Sequence, residues 1–163
     1  MIRKGTLNDV AEMAKIFNYY VATSTVIFSE RQLSADEFAP KLDGVVGEFP
    51  FYIAEDADGT MIGYCYAHRW MPDPVYGRSW EVTIYLNHNY VGKGFGRQLL
   101  NSVIDDSRLM GAHTLVSFIT GGNIPCESLH KACGFQVCGV IKEAGYKFGQ
   151  YLDDVVYQLI LEK

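Results

Sequence analysis

Two features of the chain predict an α+β fold, layered, with a mixed and mostly antiparallel central sheet flanked by helices. Segments of helical and of strand periodicity alternate along the sequence, and turn residues pair the strands near its middle. The order is helices near the start, an antiparallel centre, and then strand, helix, strand, helix, strand. Hydrophobic residues make up 48% of the 163, with 11 Tyr and 9 Phe, which is enough to fill the core of one domain spanning 1–163.

Each element has its own signal. Ile2, Arg3 and Lys4 read as a short strand. Thr6 suits an N-cap, and Leu7, Val10, Ala11, Ala14, Phe17 and Val21 then recur at helical spacing. Ser34, with Glu37 three residues on, resembles a capping box for a second helix that ends near Gly44. Phe51–Glu55 and 61–67 flank Asp58 and Gly59 and read as a hairpin. A loop with Pro72, Pro74 and Gly77 leads to a strand over 80–86. After a glycine-rich turn, Leu99, Leu100, Val103 and Ile104 mark a helix stopped by Gly111. A strand over 113–119, a short helix from about Pro125 to Gly134, and strands over 135–141 and 154–161 complete the chain.

Composition narrows the functions. A net charge of −5 disfavours nucleic acid as the partner, because a phosphate backbone requires a basic face. No apolar run reaches membrane-spanning length, and residues 1–7 lack a signal-peptide core, so a soluble, cytoplasmic protein is expected. Cys65, Cys126, Cys133 and Cys138 form no CxxC pair, which fits reduced thiols. Cys126, His130 and Cys133 fall on one helix face, yet zinc sites use tighter paired spacings. Packed thiols and no metal are the expectation.

The most informative stretch runs Val91, Gly92, Lys93, Gly94, Phe95, Gly96, Arg97, between a strand and a helix. Glycines let successive backbone N–H groups point into one concavity, and the helix N-terminus, Lys93 and Arg97 add positive charge. Such a turn suits a diphosphate. A P-loop is excluded, because Arg97 and Gln98 stand where Lys and Ser or Thr would be needed. A dinucleotide fingerprint is excluded too, because Leu99 occupies its third glycine position.

At these residues the sequence resembles the GNAT acetyltransferases, whose coenzyme A turn reads Gln/Arg-x-x-Gly-x-Gly/Ala; Val91 departs at the first position. Further stretches resemble the phosphinothricin and methionine sulfoximine acetyltransferase branch of that superfamily. They are Asn18 to Val21 with Ser24, Thr25 and Phe28; Tyr76 five residues before Glu81; Asn123; Leu129 and His130 before Gly134 and Phe135; and Lys147, Gly149, Tyr151, Leu152 and Asp153.

The resemblance implies an acetyl-CoA-dependent enzyme that acylates the amine of a small amino-acid-like acceptor. A protonated amine has no lone pair, so a base must take its proton, and Glu81 matches the family's catalytic glutamate, acting through a water. Ile84, Tyr85 and Leu86 match the backbone that faces the thioester, whose oxygen their N–H groups would bind. Gly92, Lys93, Gly94, Phe95, Gly96 and Arg97 form the cofactor turn, and Asn123 matches a cofactor-contacting asparagine that also suits a helix N-cap. His130 stands where many relatives carry a tyrosine that protonates the leaving thiolate. Phe28, Trp70, Met71, Asp73, Tyr76 and Thr83, with Glu81, form the expected acceptor pocket. Met71 and Asp73 replace basic residues of the relatives, and Arg69 and Arg78 are the nearby candidates to substitute for them. His68, His88 and His113 show no partner pattern and are read as structural. The family also implies a homodimer. Two alternatives stand beside this reading: acetylation of a polyamine or protein N-terminus, and a non-catalytic acyl-CoA sensor.

Overall fold

The computed structural model describes residues 1–161. Its strands are β1 (Ile2–Lys4), β2 (Phe51–Glu55), β3 (Met61–Arg69), β4 (Ser79–Leu86), β5 (Thr114–Thr120), β6 (Gln136–Lys147) and β7 (Gln150–Ile160). They form one sheet in the order β1-β2-β3-β4-β5-β7-β6. Every pairing among the described residues is antiparallel except β4 with β5, so the expected mixed, mostly antiparallel sheet is what the chain forms.

The helices start where capping chemistry places them. The Thr6 hydroxyl accepts the Asn8 N–H and Asp9 closes the capping box, giving a 3-10 turn that leads into α1 (Val10–Thr23). The buried stripe of α1 runs through Val10, Met13, Ala14, Ile16, Phe17 and Val21, whereas Leu7 and Ala11 face solvent. Leu7 belongs to the 3-10 turn, which winds at three residues per turn and so falls out of step with the α-helical stripe. Ser34 and Glu37 form the expected capping box. The helix it starts is shorter than expected: α2 (Ala35–Phe38) tightens into a 3-10 turn over Ala39–Leu42, because Pro40 has no N–H for another α-helical bond.

Leu99, Leu100, Val103 and Ile104 of α3 (Phe95–Leu109) pack on one face of the sheet against Ile62, Cys65, Val82 and Leu115. On the other face Met13, Phe17 and Val21 of α1, with Phe38, cover Ile53, Tyr64 and Tyr66. The last helix, α4 (Ile124–Ala132), carries Pro125 in its first turn and is capped by Asn123.

The final hairpin corrects the strand limits. The expected strands over 135–141 and 154–161 grow into β6 and β7, which meet at a turn through Phe148 and Gly149. Bulges between Val137 and Gly139 and between Ile141 and Gly145 break the two-residue alternation, and β6 is exposed along most of its length. The periodicity that reveals a half-buried strand is therefore absent from 142–153.

Close packing of β3 on β4 yields a test. A methyl group on Gly63 would lie 2.7 Å from the Tyr85 carbonyl oxygen and 2.5 Å from Leu86 Cδ2. Gly63→Ala should cost about 1–3 kcal/mol by overpacking, read as a lower urea midpoint with unchanged slope. An unchanged midpoint would contradict this close approach.

Candidate functional site

Parallel strands β4 and β5 share three rungs, Ser79 with Thr114, Trp80 with Leu115 and Glu81 with Val116, and pair no further. Past Glu81 the backbone of β4 has a partner on one side only. Bonded residues alternate in an antiparallel pair, and the Asn87 N–H donates to the Ile62 carbonyl of β3's side. By that alternation Glu81, Thr83 and Tyr85 direct their backbone groups to β3, and Val82, Ile84 and Leu86 direct theirs into the gap. Side chains reach across to two of these: Ser117 Oγ donates to the Val82 carbonyl at 3.3 Å, and Tyr20 Oη to the Leu86 carbonyl at 2.6 Å.

The gap opens into a cavity of about 1040 Å³. Its walls are β4, the end of β5, the C-terminal half of α1, residues of 24–29, the glycine turn and α4. Gly92 and Gly94 adopt left-handed φ of 79° and 86°, with open space where a side chain would stand. Gly94 is the N-cap of α3 and supplies no side-chain cap, so the first N–H groups of that helix are left for a ligand. Gly96 has a different reason to be glycine, since a Cβ there would lie 3.1 Å from Leu129 and 3.2 Å from Leu86. Gly92, Gly94, Gly96 and Arg97 line the cavity. Lys93 and Phe95 do not: Lys93 Nζ donates to the Asn89 carbonyl at 3.0 Å, and Phe95 packs edge-on to Tyr90.

A second cavity of about 570 Å³ opens beside the first, with Phe38, Asp43, Glu48, His68 and Arg69 among its walls. Phe17, Lys41, Glu81, Thr83 and Tyr85 border both. Glu81 therefore sits at the last rung of β4 with β5 and at the junction of two cavities. Burial raises its pKa above the ordinary glutamate value; His68 opposes the rise and Asp154 adds to it. His68 lies opposite Glu81 in register, with Nε2 3.9 Å from the carboxylate. Its Nδ1 lies 3.0 Å from the Arg69 carbonyl, which it can bond only as an N–H donor, and this bond fixes the ring with Nε2 turned to Glu81. His68 thus has a partner that sequence periodicity did not reveal.

His130 does not fit a proton donor. It is fully buried, and its Nδ1 bonds the Cys126 carbonyl at 2.9 Å, which places the ring proton there. Nε2 is left as a bare acceptor, buried with no hydrogen-bond partner, and burial lowers the ring's pKa. Among neutral forms it has no free proton to give. Nearby Cys126 is equally inert as a thiolate, its pKa pushed up to about 12 by burial.

Of the other expected residues, Phe28, Thr83, Ile84, Tyr85, Leu86 and Asn123 line the larger cavity. Asn123 also caps α4 by accepting the Cys126 N–H at 3.4 Å, so its two readings are compatible. Trp70, Met71, Asp73 and Tyr76 line neither cavity. All four lie in the β3–β4 connection, where Trp70 packs edge-on to Tyr76 and Asp73 accepts the Val75 N–H to cap a 3-10 turn. Arg78 is turned to the Gly111 carbonyl, and Arg69 is the candidate substitute that reaches the second cavity. Lys41, Ser117, Tyr20 and Asp154 are cavity residues that no local sequence signal marks.

Residues 2–156 match the family model described as Acetyltransferase (GNAT) domain. The chain is 31% identical over 162 residues to an L-methionine sulfoximine/L-methionine sulfone acetyltransferase of Pseudomonas paraeruginosa, covering 99% of this chain and 94% of that one. It is 31% identical over 152 residues to a phosphinothricin N-acetyltransferase of Streptomyces viridochromogenes, covering 93% and 82%. Among solved structures it resembles a GNAT superfamily phosphinothricin acetyltransferase of Sinorhizobium meliloti in complex with AcCoA. That match has a TM-score of 0.94 at 28% identity, and covers 99% of this chain and 88% of the other.

The tautomer of His130 is directly measurable. Nitrogen-15 spectra of the imidazoles should show the His130 ring protonated at Nδ1 and titrating below ~6.5, the ordinary histidine value. A ring at this position that titrates above it would restore the proton-donor role.

Proposed function

The chain belongs to the GNAT acetyltransferase family, and we propose that it moves the acetyl group of acetyl-CoA onto the amine of a small amino-acid-like acceptor of the phosphinothricin, methionine sulfoximine or methionine sulfone type. The observation that carries this reading is the position of Glu81, a partly buried carboxylate bordering both cavities where β4 leaves β5. The larger cavity would take the donor and the smaller the acceptor, so that they meet at the carboxylate.

The residues present fit acetyl-CoA. Left-handed Gly92 and Gly94, the uncapped first turn of α3 and Arg97 make a concavity of N–H donors and positive charge for the diphosphate. Acetyl-CoA supplies an acyl group already activated as a thioester. The N–H groups of Ile84 and Leu86 face the gap, unspent on the sheet, and are the donors for the thioester oxygen. Tyr85 contributes its side chain instead, because its backbone is turned to β3.

Glu81 takes the acceptor's proton. Its carboxylate and His68 Nε2 stand 3.9 Å apart, beyond direct hydrogen-bond distance. A water between them can bond both, and a relay water fits this arrangement. The raised pKa brings Glu81 closer to neutrality, which makes it a better base than an exposed glutamate. The leaving thiolate takes its proton from water, since His130 has none to give. A second reading, a polyamine-like acceptor, draws on Asp43 and Glu48 in the smaller cavity. A sensor would bind acetyl-CoA without turnover. Release of free thiol in the presence of an amino acid, a diamine or neither separates the three.

Two variants test the assignments. Glu81→Gln should keep acetyl-CoA affinity and lower kcat by ~100-fold or more, the usual scale for loss of a general base. In the wild type kcat/KM should rise with pH as Glu81 ionises, at a pH above the ordinary glutamate range, and near-wild-type turnover of the variant would remove Glu81 from this role. Gly94→Val should weaken acetyl-CoA binding by calorimetry, because a β-branched residue disfavours φ of 86° and covers the N–H groups. Unchanged affinity in the folded variant would make the turn merely structural.

A further inference from the structure

We propose that the ammonium of Lys41 binds the α-carboxylate of the acceptor and thereby selects amino acids over simple amines. The proposal rests on the acetyl-transfer reading of the site and names a specificity residue within it. In an α-amino acid the amine and the carboxylate are attached to one carbon. A group that anchors the carboxylate must therefore stand beside the base that receives the amine's proton. Five residues border both cavities around that point: Phe17, Lys41, Glu81, Thr83 and Tyr85. Together they supply one base, one cation, two hydroxyls and two aromatic walls (Tyr85 contributing to both), the chemical set that a zwitterion with a short side chain requires.

Lys41 is the cation of that set. Arg97 borders only the larger cavity, at the glycine turn, and Arg69 borders only the smaller. Lys41 lies in the 3-10 turn after α2, and its Nζ lies 5.1 Å from the centroid of the Phe17 ring. No carboxylate among the described residues lies within salt-bridge distance of it; Glu37, on the same helical stretch, is taken by Arg31. A cation on a flexible stem, held against an aromatic wall and without an internal counter-ion, has its charge available to a ligand. The basic positions expected after Trp70 are held by Met71 and Asp73, which line neither cavity, so the carboxylate needs an anchor from elsewhere in the fold.

The test compares L-methionine sulfone with methylsulfonylpropylamine, which is the same molecule without its carboxylate. The wild type should prefer the amino acid in kcat/KM. In Lys41→Met that preference should fall by about 10- to 150-fold, the worth of one charge-assisted hydrogen bond, and the loss should appear in the acceptor's KM. Lys41→Arg should recover part of it, and Lys15→Met, a change of exposed charge on α1, should leave it intact. An undiminished preference in Lys41→Met overturns the proposal, as does a loss confined to the KM of acetyl-CoA, which would give Lys41 to the donor. Equal use of both compounds by the wild type removes the role of Lys41 and leaves acetyl transfer standing. Acetylation of neither compound removes the acceptor reading and this proposal with it.

Discussion

Strands β4 and β5 hold the two halves of the sheet together through three rungs, and everything functional follows from their failure to form a fourth. A strand that loses a neighbour must find partners for its backbone groups, because leaving them buried and unpaired is costly. Here two carbonyls are met by side chains, Val82 by Ser117 and Leu86 by Tyr20. The gap is thereby stabilised as a gap. The remaining donors of β4 stay available, and a ligand with an acceptor of its own can complete the ladder that the protein leaves open.

The same geometry explains the electrostatics. Alternation along β4 sends Glu81, Thr83 and Tyr85 to the face covered by α1 and α2, and Val82, Ile84 and Leu86 to the face of α3. Glu81 is thus partly buried, and burial penalises its charge more than His68 compensates. A carboxylate at a regular rung of the sheet would be buried by its neighbour strand or left in water. At the last rung it is held between these limits, with its backbone fixed and its side chain open to two cavities.

Local chemistry made much of the fold legible. The Thr6 N-cap and the Ser34 capping box started helices where expected, and the Asp58-Gly59 turn brought β2 and β3 together as expected. The glycine turn was legible because its φ angles demand glycine. Less was visible where a residue's role depends on a distant partner. His68 acquires meaning only opposite Glu81, Lys41 only at the junction of two cavities, and Asp154 only because β7 returns beside β5. His130 was misleading for the opposite reason. Its spacing places it at the site, but its proton is committed to the carbonyl of Cys126, a tautomer that no sequence pattern encodes.

The β6–β7 hairpin, the part of the sheet least legible from periodicity, supports the cavity from outside. The segment 24–29 that forms one wall belongs to no helix or strand, and it is held by side chains from elsewhere. Thr120 Oγ1 donates to the Thr25 carbonyl at 3.1 Å, and the buried ammonium of Lys147 donates to the Ile27 carbonyl at 2.9 Å. Just past the second tie the Phe28 ring lies against Gly145, where a Cβ would stand 2.8 Å from it. Burial lowers the pKa of Lys147 while Glu30 opposes the shift, so the bond to Ile27 carries a real desolvation cost. A lysine buried at such cost, beside a glycine that admits the ring, makes sense if the wall must be fixed in place. The glycine and the bulge that obscured β6 as a strand are therefore part of how the hairpin reaches the site: they bend it and leave room for Phe28.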